Sequence, residues 1–189
     1  MHDANDNGGS SGSAARSLAC GIGNIASGTD STAVGSASDA TGQFASAFGA
    51  DSQATNNRAT ALGVSNISSG VSSTTVGDAN RASGTNSTAV GHASNASALS
   101  SLAVGDDSAA SGTYSAAVGY DSAAAGSRSL AIGSRATANA TNSIAIGNSD
   151  LAATGARVTA GATNGIAIGN NAAVTATGVN AMALGSSSV

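Results

Sequence analysis

The stretch SLAVGDDSAASGTYSAAVGYDSAAAGSRSLAIGSRATANATNSIAIG, residues 101–147, states one phrase four times: Ser, a small or aliphatic residue, Ala, an aliphatic residue, Gly. Successive copies start fourteen residues apart. Outward from it, the same step runs without exception through Gly21, Gly35, Gly49, Gly63, Gly77, Gly91, Gly105, Gly119, Gly133 and Gly147. A second series falls halfway between, at Gly28, Gly42, Gly70, Gly84, Gly112 and Gly126, with Asn56, Ala98 and Ala140 in the remaining slots. The repeating unit is therefore a pair of seven-residue half-turns.

A period of seven invites a coiled coil, but Gly, Ser, Thr and Val recur here, and each Gly costs about 1 kcal/mol inside a helix. Short runs of Val, Ile and Thr punctuated by Gly predict strand, turn, strand, turn instead. The expected fold class is all-β, a β-roll (β-solenoid) with 14 residues per coil. Alternation along a strand then sorts the side chains by face. One face of the first strand carries Ala19, Ala33, Ala47 and their successors, with Ser or Ala two residues earlier, and is small enough to line a very narrow interior. The other carries Cys20, Val34, Phe48, Leu62, Val76, Val90, Val104, Val118, Ile132 and Ile146, continued by Ile168.

That second row would be a long exposed apolar stripe on a lone chain. Burying each such side chain is worth roughly 1.5 to 3 kcal/mol, so the expectation is a cover made by another copy, with these residues as the interface. Cys20 then acts as a small hydrophobe in the stripe. In the other half-coil, Asp39, Thr41, Gln53, Thr55, Arg81, Ser83, Asn95 and Ser97 point outward and predict a water-facing side.

Composition narrows the function. Aromatic residues make up 2% and charged residues 8% of the 189-residue chain, so an ordinary mixed core is not available. Ten Asp against six Arg, without a basic run, exclude the electrostatic footprint of a nucleic-acid partner. No stretch approaches the roughly 20 apolar residues of a spanning helix. Residues 1–16 are polar and expected to be disordered. Residues 17–185 form one repeat domain, regular to 147, with an irregular coil or loop at 148–164, last coils at 165–185, and a short end at 186–189.

NSTAVG (86–91) and NSIAIG (142–147), with DSTAVG (30–35) and YSAAVG (114–119), resemble the head repeat of YadA-like trimeric autotransporter adhesins over about residues 17–185. The resemblance implies a homotrimer of left-handed parallel β-rolls, displayed on a Gram-negative bacterial surface by a stalk and an outer-membrane anchor. It also implies binding to host extracellular matrix proteins or the host cell surface. Neck, stalk and anchor have no recognisable counterpart in these residues, so the expectation is a head fragment that itself makes no membrane contact.

No enzyme is expected. His2 and His92 have no partner that spacing identifies, and the aspartates are scattered over turns. No cofactor is expected: GIGNIASG (21–28) lacks the third glycine and the helix of a dinucleotide loop. No metal is expected either, the pair Asp106 and Asp107 reading as a solvated turn. A partial threonine row, Thr32, Thr60, Thr74 and Thr88, raises an ice-binding solenoid, but Leu102, Ala116 and Leu130 break it. The candidate ligand contacts are the Arg and Tyr side chains beside turns, with their neighbouring Asp. Arg58, Tyr114 and Arg128 stand five residues before the main glycine; Tyr120, Asp121 and Arg135 stand just after it.

Overall fold

The computed structural model describes residues 11–148 and 155–189; His2, most of the polar segment 1–16, and 149–154 of the irregular stretch lie outside them. Every element among the described residues is a strand, turn or bend, and none is a helix. The chain divides into two compact units, Met1–His92 and Ala93–Val189. In the first, the long strands Leu18–Ile22, Thr32–Ser36, Ser46–Ala50, Thr60–Val64, Thr74–Asp78 and Thr88–His92 pair in parallel, each with the strand fourteen residues on. Two-residue strands from Ser11–Gly12 to Arg81–Ala82 build the facing sheet. The second unit repeats the arrangement, with Leu102–Asp106 to Met182–Leu184 in one sheet and Asn95–Ala96 to Ala173–Val174 in the other. Each unit is thus a parallel β-solenoid, as the repeat predicts.

Alternation puts the alanines inside. Ala33, Ala47, Ala61, Ala89, Ala103, Ala117, Ala131 and Ala145 are fully buried, and they face Ala26, Ala40, Ala54, Ala82, Ala96, Ala110, Ala124 and Ala138, buried to the same degree. With so little side-chain volume the two sheets approach closely, and serine shares the interior at low cost where its hydroxyl is bonded locally, whereas the hydroxyls of Ser31, Ser115 and Ser129 are buried without a partner. Ser87 Oγ donates to the Gly84 carbonyl at 2.7 Å, and Ser143 Oγ to Ala140 at 2.6 Å.

From Gly21 to Gly119, the turn after each main glycine carries a buried Asn or Ser, and several of these stitch one coil to the next. Asn66 Nδ2 donates to the carbonyls of Leu62 at 2.9 Å and Gly77 at 2.6 Å. Its Oδ1 accepts from the Asn80 backbone N–H at 3.0 Å.

The main glycines do not end their strands in the first unit: Ser46–Ala50 runs through Gly49. Gly49 has φ +122, and a Cβ there would lie 1.8 Å from the carbonyl oxygen of Gly63 in the next coil. Both backbone conformation and close approach therefore demand glycine.

The register changes late in the second unit. Ala124 pairs with Ala138, fourteen on, but Ala138 pairs with Val158, twenty on, and Ala145 with Ala167, twenty-two on. Six of the eight extra residues (20 − 14) therefore precede Arg157–Val158 and two (22 − 20) follow it. Val158 pairs with Val174 and Ala167 with Ala183, sixteen on in each case. Arg157–Val158 and Ile166–Ile168 pair within the two sheets, at steps longer than fourteen.

Candidate functional site

The described interior is alanine, serine, asparagine, threonine and valine, and the charged and aromatic side chains stand outside it. The apolar stripe is there: Phe48 is 36% exposed, Leu62 46%, Ile132 37% and Ile168 39%. Val34, Val76, Val90, Val104, Val118 and Ile146 are half-buried among their neighbours in the row, and Cys20 is exposed. In the facing sheet Thr41, Gln53, Thr55, Arg81, Asn95 and Ser97 are exposed, whereas Asp39 and Ser83 are half-buried. Burial holds the Asp39 carboxyl above the usual carboxylate range.

The side chains with binding chemistry stand at the two corners of each coil. Their backbone is unusual. Arg58, Tyr114 and Arg128 have φ of 56, 59 and 55, and Asp121 and Arg135 have 51 and 57, in the left-handed region that ordinarily asks for Gly or Asn. The ladder holds them there: Tyr114 N–H donates to Leu99 O at 2.9 Å, and Arg128 N–H to Thr113 O at 2.8 Å. A four-residue turn closes behind, with Ser115 N–H donating to Gly112 O at 3.1 Å.

In the second unit one corner is closed upon itself. The Arg135 guanidinium lies 5.2 Å from the centre of the Tyr120 ring, and its Nε is 3.7 Å from Asp121 Oδ2. The opposite corner is open. Tyr114 is 55% exposed and Arg128 is exposed, and neither side chain has a partner among the described residues. Below Arg128 on this corner come Asn142, Asn164 and Asn180, all exposed and all at positive φ. Asn142 Nδ2 donates to Asn164 Oδ1 at 3.0 Å, and Asn164 Nδ2 to Asn180 Oδ1 at 2.8 Å.

In the first unit Arg58 follows the exposed Phe44 one coil on, and Arg16 forms a two-toothed ion pair with Asp30. Hydrogen bonding to that guanidinium holds the Asp30 carboxyl below its ordinary range.

The six candidate contacts thus form three groups: Tyr120 with Asp121 and Arg135, Tyr114 with Arg128, and Arg58 beside Phe44. The asparagine row escaped the sequence reading, although its signal is plain: Asn stands five residues before Gly147, Gly169 and Gly185, the slot of Arg58, Tyr114 and Arg128. Among the described residues no group of three or more His, Cys, Asp or Glu could hold a metal ion.

A parallel β-solenoid with an alanine and serine interior, glycine-pinned coils and display corners is a repeat scaffold. The YadA head domain repeat matches residues 13–38, 40–66, 68–94, 82–108, 96–122, 110–136, 124–149 and 176–189. The chain belongs to the YadA head family, a family of adhesin heads. No curated protein matches it.

Proposed function

We propose that the chain is the adhesive head of a bacterial surface adhesin, working as a homotrimer of left-handed rolls held at the cell surface through an outer-membrane anchor. The observation that carries the reading is the division of each coil into an apolar stripe and corners bearing Arg, Tyr and Asn, in a chain of the YadA head family. Three copies that bury the stripe from Val34 to Ile168 against one another leave the corners outward. Host extracellular matrix proteins or the host cell surface then meet Arg58, Tyr114, Tyr120, Asp121, Arg128 and Arg135 many times over. Multivalency turns weak individual contacts into firm attachment.

The purified chain should have a solution mass about three times 17.4 kDa by multi-angle light scattering, and should attach to immobilised matrix proteins or host cells. A stable monomer would overturn the interface. A trimer that attaches to nothing, and whose coils can be deleted at no cost beyond reach, would be a spacer for another binding domain.

A further inference from the structure

We propose that the corner of the second unit formed by Tyr114, Arg128, Asn142, Asn164 and Asn180 is a linear binding site for an extended acidic polysaccharide. The inference deepens the adhesive reading and rests on it for its setting.

The residues occupy one corner in successive coils, so they follow each other at the strand spacing of about 4.8 Å. Backbone bonds prove the succession: Arg128 N–H to Thr113 O at 2.8 Å, Asn142 to Ser127 at 2.8 Å, Asn164 to Thr141 at 3.0 Å and Asn180 to Thr163 at 3.0 Å. A sugar in an extended glycan advances by a similar distance, so one ring can meet one coil. An exposed tyrosine offers its face to the C–H face of a pyranose. The neighbouring guanidinium offers a planar fork to a carboxylate or sulfate. The three amides are already joined in a chain, which holds their side chains in place before any ligand arrives. Each keeps a second N–H for a sugar hydroxyl.

Charge agrees with this assignment. Asp106, Asp107 and Asp121 flank the opposite corner, and no described aspartate of this unit lies on the Tyr114 side. Among the described residues Arg128 has no carboxylate on its corner, whereas Arg135 is held by Asp121 and Tyr120. The shared chemistry is a carboxylate or sulfate on an extended sugar chain, and the two probes below separate these groups.

The test measures binding of the full chain to immobilised heparin and to hyaluronan, which carries carboxylates without sulfate. Wild type is compared with Arg128→Gln, Tyr114→Ala and Arg157→Gln, the last an exposed arginine of the same unit that lies in a sheet strand, away from this corner. Loss of one charged hydrogen-bonding group predicts about tenfold weaker binding for Arg128→Gln, a comparable loss for Tyr114→Ala, and little change for Arg157→Gln. Heparin alone binding would point to sulfate, both binding would point to the carboxylate, and either supports the site. Equal loss with Arg157→Gln would reveal general attraction and overturn it, as would a lowered solution mass in Arg128→Gln or Tyr114→Ala, which would make the corner a contact between copies. A chain that attaches to matrix proteins or cells but to neither polysaccharide sinks this inference and leaves the adhesive reading standing. Polysaccharide binding without attachment to matrix or cells does the reverse.

Discussion

The inside and the corners of each coil obey opposite rules. Inside, positions repeat with little variation: alanine against alanine, with serines and asparagines among them, several tied to a carbonyl. At the corners, the same backbone conformation carries Asp30, Phe44, Arg58, Ser72 and Asn86 in turn. The difference teaches where the constraint lies. Packing between two close sheets dictates every interior atom, whereas a corner is held by its backbone ladder and leaves the side chain free.

If that contrast is right, enlarging the interior should do the most damage. Ala117→Leu has no space to enter, and overpacking is expected to cost about 3 kcal/mol or more, read as a large fall in the thermal unfolding midpoint. Tolerance of the leucine would mean that the sheets can part. Next in size is Gly49→Ala, whose Cβ would collide with the Gly63 carbonyl in a backbone region closed to alanine; about 2 to 3 kcal/mol should be lost in denaturant unfolding. Asn66→Ala should cost about 1 to 3 kcal/mol, because the carbonyls of Leu62 and Gly77 lose their donor.

The corner should respond with the opposite sign. Ala79 has φ 55, where a Cβ costs roughly 1 to 2 kcal/mol, so Ala79→Gly should raise stability by about 1 kcal/mol, lessened by the freer unfolded chain. A loss there would show that the corner backbone is not strained.

The smallest effect is electrostatic. Asp39 has its folded pKa raised, so its contribution is present at low pH and is lost as pH rises through the carboxylate range. Asp39→Asn should gain slightly on wild type at neutral pH, with the gap closing on acidification. Asp30, with its pKa lowered by Arg16, should behave in the reverse sense.

The period, the solenoid and the alanine interior were legible because each coil repeats one local rule, and ten copies of the glycine leave no alternative phase. The candidate corners were legible as turn-flanking slots. Their left-handed backbone was not, since Arg, Tyr and Phe at those positions disguise a conformation that Asp30, Asn86 and Asn142 at the same slot disclose. The slot of the asparagine row was legible, five residues before each glycine, but its bonding was not: Asn142 and Asn164 are twenty-two residues apart in sequence yet bonded in space. Spacing alone could not tell that the extra residues leave this corner in line.

The ladder-bound corners have a consequence for survival outside a cell. A protease accepts its substrate as an extended strand several residues long, and trypsin-like enzymes need Lys or Arg at the cut. This chain has no lysine; Arg16, Arg58, Arg128 and Arg135 sit at corners in left-handed turns, and Arg81 and Arg157 sit within sheet strands. To be cut at any of them the chain must first peel a coil from its neighbours. The surface can hold arginine and tyrosine out to a ligand while keeping the peptide bonds beside them out of a protease's reach.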